Sequence, residues 1–467
     1  MLTITTRSTA LSLLFAAPSV APAVALTMPT TNTITTTTPP INSAPRLRIV
    51  PLEDIRSGSP AALSAATDAF TGRQSLGALG VRVPGFSRRR RDVLRYGARL
   101  ALDPSASSER VECATATPGA RVAPGWSGTP GRENHPIQSG FYANLREELA
   151  SGVDDSGSDG NCRGKSRGVD EVFGPNLWPK IGSDGGAAQL PPLRQSVGDA
   201  GGIMYDVVLD VLDLAGAVAS QADADRRGFQ SGNGSCALPD LRALAESSPF
   251  LPTRLAYYDA NYSREDEVLG YDGGGGRADY WLPWHIDFNL ATAFSSAMWL
   301  DERSALAGGG VEAAAVGEKS SAAASDADLT PGGGDGGCRG PEQGAGLLLR
   351  SAAGDVVPAA LPDDVVLVQL GAYAQIVTGG LLRAGPHAVG KTNSCGVDKE
   401  LGRISFGVFV YAPWNEVMRP ERQLQSTEED ILCDDFRQLM KKAYTGDTVL
   451  DGYRRFEGYM NSHSAAK

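Results

Sequence analysis

Histidines, paired cysteines and long apolar runs are all scarce in this chain of 467 residues. It contains four histidines and six cysteines, and no two cysteines stand at C-x-x-C spacing. The cysteines therefore offer neither a disulfide framework nor zinc-ligand spacing, and we interpret them as mostly free thiols in a reducing compartment. No run of about 18 apolar residues occurs, so we predict no membrane-spanning helix.

An excess of basic charge is also lacking. The formal net charge is -11, and the sequence pI is about 5.0. Nucleic acids and anionic membranes both favour basic surfaces, so this balance argues against either as a general partner. Glycine is abundant instead, with 56 residues, which indicates a globular body interrupted by flexible insertions.

No acidic residue precedes Glu53, and the start of the chain is not typical of a folded domain. A short apolar run follows Arg7, and the Ala-Val-Ala sequence at 23–25 matches a signal-peptidase site. The Thr- and Pro-rich residues that follow are equally typical of a transit peptide. We predict that residues 1–45 are a targeting leader, either secretory or organellar (plastid-type). The alternative is a disordered tail on a cytoplasmic protein.

Helices dominate the predictions for the first half of the chain. We expect a strand at 47–52, helices at 60–70, 87–101 and 203–218, and a strand that runs into a helix at 140–149. The arginines at 88–91 are interpreted as a solvated helix face, with an anion site or a nuclear address as alternatives. Asp206, Asp210 and Asp213 are likewise interpreted as a solvated face of the long helix.

From residue 251 onward the apolar residues recur with a period of two. This pattern predicts strands at 253–258, 284–294, 346–350, 365–370, 375–378 and 404–411. Residues 307–344 contain no aromatic residue and are predicted to be a disordered insertion in a hairpin, and residues 151–168 a flexible insertion. Short strands separated by turns, after a helical first half, predict an antiparallel sandwich or barrel with helices packed outside.

The most informative stretch is WHIDFNLATAF at 284–294, which places a histidine and an aspartate two positions apart. On a strand, His285, Asp287 and Asn289 would share one face, and the intervening apolar residues the other. Imidazole and carboxylate would then point at one spot. With a second histidine they would form the set of two histidines and one carboxylate that binds iron(II) and leaves coordination positions open.

His387 is the best candidate for that second histidine. His135 lies in a Pro-rich loop and His463 in a polar tail, whereas His387 follows a Gly-Gly turn within the strand-rich region. Sixteen residues further on, Arg403 and Ser405 would share a strand face. Together they offer a guanidinium fork and a hydroxyl group to a carboxylate.

These elements, in this order, resemble the iron(II)- and 2-oxoglutarate-dependent dioxygenases of the isopenicillin N synthase-like family. The resemblance includes GPNLWP at 174–179 and RLAYY at 254–258. It implies a mainly β fold with a double-stranded β-helix (jelly-roll) core and with N-terminal and flanking α-helices. It further implies an N-terminal helical region at 46–245 and the jelly-roll domain at 246–420. Beyond the resemblance, we predict a helical C-terminal extension at 421–467.

The resemblance also assigns roles to individual residues. Iron(II) would be bound by His285, Asp287 and His387, and the C5 carboxylate of 2-oxoglutarate by Arg403 and Ser405. Tyr258 matches the tyrosine that hydrogen-bonds the cosubstrate, whereas Ala256 stands where plant members carry an asparagine. Oxygen would be the other cosubstrate and ascorbate a reductant.

The implied reaction is oxidation of a C–H bond of a small-molecule substrate with release of succinate and carbon dioxide. Two alternatives share the fold. One is an oxidase that uses the same iron site without 2-oxoglutarate, and the other is a non-catalytic jelly-roll binding protein. The residues near the pocket are expected to include Trp284, Phe294 and Tyr373, although each is also a good core residue.

Overall fold

Two β-sheets form the framework of this computed structural model, which describes residues 45–114, 124–127, 138–151, 174–179, 191–227, 238–259, 280–302, 315–316, 345–391 and 401–416. The predictions for residues 1–44 of the leader, for residues 152–168 and for the C-terminal extension fall outside the described residues. The described strands are β1 Arg48–Pro51, β2 Ala78–Arg82, β3 Gly125–Ser127, β4 Gln138–Asn144, β5 Pro252–Tyr258, β6 Tyr280–His285, β7 Ala291–Ser295, β8 Met298–Asp301, β9 Ala315–Val316, β10 Gly346–Arg350, β11 Val356–Pro358, β12 Val365–Leu370, β13 His387–Gly390 and β14 Leu401–Val410.

The larger sheet has ten strands, in the order β1-β2-β12-β7-β14-β5-β4-β3, and β8 and β9 extend it from β14. The smaller sheet has four strands, in the order β11-β10-β13-β6. β1 and β2 are parallel, and the other paired strands described are antiparallel. Two antiparallel sheets with inward-facing apolar side chains confirm the predicted jelly-roll class.

Helices cover the outer face of the larger sheet. The described helices are α1 Leu52–Arg56, α2 Pro60–Phe70, α3 Phe86–Leu102, α4 Ser107–Glu112, α5 Leu145–Ser151, α6 Leu193–Arg227, α7 Leu241–Ser247 and α8 Ala372–Val377. α3 lies so close to the sheet that a methyl group at Gly97 would be 2.6 Å from Ile404 Cδ1. α6 contacts β7, β12 and β14. In the described part of the chain no helix is long and apolar enough to cross a membrane.

The strand predicted over 284–294 is wrong as a single element. The chain leaves the smaller sheet at His285, turns through residues 286–290 and enters the larger sheet at Ala291. The backbone of this corner is bonded to two other segments: Ala372 N donates to Asp287 O at 2.8 Å, and Leu290 N donates to Val410 O at 2.9 Å. The apolar residues Ile286, Phe288 and Leu290 are all buried in this corner, as they would be on a strand, but Asn289 between them is buried as well.

Two further strand-region predictions need correction. Residues 375–378 belong largely to helix α8, whose first turn carries the backbone groups that bond to the corner, so the expected strand is absent there. Within the predicted disordered insertion, Ala315 and Val316 form β9 and pair with Leu300 and Trp299 of β8. Ala315 and Val316 pair with the edge of β8, although the composition of the segment predicted no regular structure there.

The arginine cluster is only partly the solvated face that was predicted. Arg88 is 82% exposed, but Arg90 is 2% exposed and donates hydrogen bonds to Ser296 O at 3.0 Å and Ala297 O at 2.9 Å. Arg90 thus ties α3 to the turn between β7 and β8. The aspartates of α6 lie on the predicted solvated face: Asp206 and Asp213 are exposed and Asp210 is half-buried. Two of them form ion pairs there, Asp210 with Arg56 at 2.8 Å and Asp213 with Arg242 at 2.7 Å.

Candidate metal centre

Two histidines face each other across a pair of strands in the smaller sheet. His285 is the last residue of β6 and His387 the first residue of β13, and the antiparallel register pairs them directly. Their ring centroids are 4.1 Å apart. Strand pairing therefore brings the two histidines together, although they are far apart in the sequence.

Asp287 completes a cluster of three possible metal ligands. Its Oδ1 lies 3.7 Å from His285 Nε2, and its Oδ2 lies 3.9 Å from His387 Nε2. One ligand atom from each residue lies within 4.8 Å of the others, and no other group of this kind occurs among the described residues. Ligands held at about 2.0 to 2.2 Å from one ion are about 3 to 4 Å apart, so the spacing fits a single ion.

The cluster is shielded from solvent but not sealed. Side-chain exposure is 17% for His285, 19% for Asp287 and 3% for His387. Two imidazoles and one carboxylate form the donor set that suits iron(II) and leaves coordination positions open for other ligands. The residues present therefore fit the predicted metal.

The orientation of His387 is fixed by backbone and amide groups that the sequence reasoning missed. Its Nδ1 lies 3.1 Å from Gly385 O, and the Gln369 amide group contacts both Nδ1 and Gly385 O. When Nδ1 carries the ring proton and donates it to Gly385 O, the Nε2 lone pair is available to a metal. Such contacts to the second ring nitrogen are typical of metal-bound histidines. In that tautomer Gln369 Nε2 donates to the same carbonyl group and packs against the ring without a hydrogen bond to Nδ1.

Glycine is required at the two positions that support this carbonyl group. A methyl group at Gly77, whose φ is +65°, would lie 2.5 Å from Gly385 N, and one at Gly385 would lie 2.7 Å from the Gln369 side chain. The segment before β2 and the segment before β13 can approach closely because neither residue has a side chain. Gly385 stands two residues before His387 in the sequence Gly-Pro-His. This glycine was the feature of the sequence that could have indicated the support of His387.

Thr292 fixes the orientation of Asp287. Its Oγ1 donates to Asp287 Oδ2 at 2.6 Å and accepts a hydrogen bond from Asn289 Nδ2 at 2.8 Å. Asn289 was expected to share a strand face with Asp287, but its link to that carboxylate runs through the threonine. Thr292 lies in the WHIDFNLATAF stretch itself, and only the corner brings its hydroxyl group back to Asp287.

The second predicted set of residues lies on the inner face of the larger sheet. Arg403 and Ser405 of β14 are 5% and 8% exposed, and Arg403 Nη1 lies 3.2 Å from Ser405 Oγ. The guanidinium carbon lies 5.5 Å from the ring centroid of Tyr258, which pairs with Arg403 in register. Burial lowers the pKa of Arg403, and Tyr258 opposes this change. Arg403 Nε has no hydrogen-bond partner among the described residues.

Both sets line one cavity between the sheets. All six predicted site residues contribute to its wall: Tyr258, His285, Asp287, His387, Arg403 and Ser405. The open space between these side chains is about 490 Å³, a volume that includes the mouth of the cavity and the solvent in it. The buried guanidinium group with a free Nε fits an anionic ligand such as a carboxylate.

The three aromatic residues expected near the pocket have different positions. Phe294 lines the cavity, and its ring centroid is 5.7 Å from that of His387. Trp284 packs beneath Arg350, whose guanidinium carbon is 4.1 Å from the indole ring centroid. Tyr373 is a core residue with its ring 6.4 Å from that of Phe288, and burial followed by the charge of Glu416 raises its pKa.

The fold and the site together define a jelly-roll protein with a candidate centre of two histidines and one carboxylate. No protein-family model and no curated protein matches the chain. The chain is similar to several solved structures at low sequence identity. A full-length Neurospora crassa protein in complex with alpha-KG is 14% identical, with 87% of this chain and 94% of that chain covered and a TM-score of 0.47.

Two plant structures are similar to a comparable degree. The dioxygenase for auxin oxidation in rice is 15% identical, with 88% of this chain and 99% of that chain covered and a TM-score of 0.43. Dioxygenase for auxin oxidation 1 from Arabidopsis thaliana, in complex with 2-oxoglutarate, is 13% identical, with 79% and 94% covered and a TM-score of 0.42.

Proposed function

We propose that this protein is an iron(II)- and 2-oxoglutarate-dependent dioxygenase that oxidises a C–H bond of a small-molecule metabolite. The observation that carries the proposal is the single cavity in which His285, Asp287 and His387 meet the Arg403–Ser405 pair. A metal site alone would fit many proteins. A metal site beside a buried guanidinium group is more specific, because it fits a ligand whose carboxylate binds the guanidinium group while the rest of the ligand reaches the metal.

The roles of the residues follow from their positions. His285, Asp287 and His387 would hold iron(II), and Arg403 and Ser405 would bind the C5 carboxylate of 2-oxoglutarate. Bound iron(II), with 2-oxoglutarate and oxygen, supplies the oxidising chemistry for the C–H bond, with release of succinate and carbon dioxide. Ascorbate would serve as a reductant. The apolar side chains of Phe294, Leu282 and Leu347 line the cavity and limit the access of water.

Succinate formation tests the proposal. Purified protein is incubated with iron(II), 2-oxoglutarate, ascorbate and oxygen, with and without a metabolite library, and succinate is measured. We expect succinate release that a substrate increases and that the exchange of iron(II) for manganese(II) abolishes. An oxidase of the alternative kind would oxidise its substrate without forming succinate.

A second measurement separates the enzyme from a non-catalytic jelly-roll protein. In the His387→Ala variant we expect bound iron to fall well below one equivalent and succinate release to disappear, while circular dichroism shows that the protein is folded. A variant that retains full iron content would contradict the assigned metal site. Wild-type protein that binds iron but never forms succinate would favour the binding protein.

A further inference from the structure

A second arginine lines the cavity, at the other end from Arg403. Arg254 lies on β5, two and four positions before Ala256 and Tyr258, and all three contribute to the cavity wall. Arg254 pairs in register with Gly407, and Tyr258 pairs with Arg403. Gly407 lies four positions after Arg403 on β14, which corresponds to about 13 Å at 3.3 Å per residue. The two arginines therefore mark different ends of the site.

Arg254 has no acidic partner within the described part of the chain. Its guanidinium carbon lies 5.2 Å from the ring centroid of Tyr142, the residue opposite it on β4. Its Nε is buried and makes no hydrogen bond to any described residue. Burial of a guanidinium donor without an acceptor costs free energy, so a ligand that supplied the acceptor would recover that cost.

The neighbouring residues leave this end of the cavity open for a ligand. Gly407 contributes no side chain between Arg254 and the ring of Phe294, and Phe409 provides a second aromatic wall. The described lining thus combines one guanidinium group with apolar surfaces. This combination fits an organic molecule with an apolar body and one anionic group.

The charge balance of the proposed enzyme points the same way. The only acidic residue among the described lining residues is Asp287, and the basic ones are Arg254 and Arg403. Iron(II) and two guanidinium groups carry four positive charges, whereas Asp287 and 2-oxoglutarate carry three negative charges. One positive charge remains in a partly desolvated site, where an unpaired charge is unfavourable.

From these observations we propose that Arg254 binds the carboxylate of the organic substrate, and that the substrate is a small organic acid. This proposal rests on the proposed function, since it places 2-oxoglutarate at Arg403. The apolar body of the acid would lie against Phe294 and Phe409, between its carboxylate at Arg254 and the metal ligands. Arg254 is then a residue that determines specificity, distinct from the residues that bind iron and cosubstrate.

Calorimetric titration tests the proposal without turnover. Phenylacetate and a series of other aryl and alkyl monocarboxylates, each alongside its primary amide, are titrated into full-length protein loaded with manganese(II) and 2-oxoglutarate. We expect one or more acids to bind, with the matching amide about tenfold weaker or more, as loss of a charged hydrogen bond predicts. Acids that all fail to bind, or that bind no better than their amides, would overturn the proposal.

The Arg254→Gln variant tests whether Arg254 is responsible for the preference for the acid over its amide. We expect it to bind the acid as weakly as wild-type protein binds the amide, with its affinity for 2-oxoglutarate unchanged. Arg350→Gln is the matched control, because Arg350 also stacks on an aromatic ring and its buried Nε bonds to none of the described residues, but it is absent from the described lining of the cavity. An equal loss in both variants would indicate a purely structural role.

The two proposals fail in different ways. If wild-type protein does not bind 2-oxoglutarate, the proposed function is wrong. If 2-oxoglutarate binds and the loss in Arg254→Gln falls on 2-oxoglutarate affinity, then Arg254 belongs to the cosubstrate site and the substrate proposal is wrong.

Discussion

Replacement of Thr292 by valine removes one hydroxyl group from between Asp287 and Asn289. The side chain keeps its shape and its position in β7, where it is 1% exposed. Two hydrogen bonds are lost: one donated to Asp287 Oδ2 at 2.6 Å and one accepted from Asn289 Nδ2 at 2.8 Å. The metal ligand itself is unchanged, so the substitution isolates the support of that ligand.

The expected effect is large because both neighbours are partly or fully buried. Loss of a partner that orients a metal ligand typically weakens metal affinity by about 10- to 100-fold. Stability should fall by about 1 to 3 kcal/mol, since Asn289 keeps a buried amide donor without an acceptor. Thr292→Ser retains the hydroxyl group and should stay close to wild type in metal affinity.

Competitive titration of manganese(II) measures the affinity, and thermal unfolding without metal measures the stability. Thr253→Val is the matched control, because Thr253 is an equally buried strand threonine whose hydroxyl group donates to Ala143 O at 3.1 Å, remote from the metal ligands. We expect this control to lose stability but not metal affinity. If Thr292→Val binds manganese(II) as tightly as wild type, Asp287 does not depend on this hydrogen bond and the reasoning is refuted.

Three other substitutions test separate parts of the structure. Arg403→Lys should raise the KM for 2-oxoglutarate by about tenfold or more with iron content unchanged, because lysine lacks the planar fork; an unchanged KM would place the cosubstrate elsewhere. Gln369→Leu should lower metal affinity by about tenfold, since the histidine loses a neighbour that orients it, and unaltered binding would contradict this. Arg90→Met should lower the unfolding free energy by about 1 to 3 kcal/mol, whereas the exposed Arg88→Met should change it by less than about 0.5 kcal/mol; equal effects would show that Arg90 is not structural.

Residue order, together with the family resemblance, was enough to predict that six residues would lie together, and the structure places all six around one cavity. Arg403 and Ser405 share a strand face, as their spacing predicted. His285 and Asp287 have the same spacing, but the structure brings them together at the end of β6 and the start of the corner. The strands at 346–350 and 365–370 and the helix at 60–70 were predicted with their observed bounds. The two strands are short, largely apolar runs that are buried on both faces. The helix begins with a proline at its first position.

The corner at residues 286–290 could not be predicted from alternation. A strand and a corner that crosses between two buried sheets can both bury every second residue, and only long-range bonds from Ala372 and to Val410 distinguish them. Helix α8 was mistaken for a strand for a related reason, because six residues span too few turns to show a helical period. Thr292 and Gln369 carry no motif, and their roles depend on which segments meet in space.

The corner has a thermodynamic consequence for a protein that binds a metal ion there. His285 and His387 belong to the smaller sheet, whereas Asp287 is held by Thr292 of the larger one. An ion bound by all three would act as a reversible cross-link between the sheets. Its contribution to folding free energy would grow with the logarithm of the free ion concentration relative to Kd. The stability of the protein would then follow the metal supply of its surroundings, with no change in sequence.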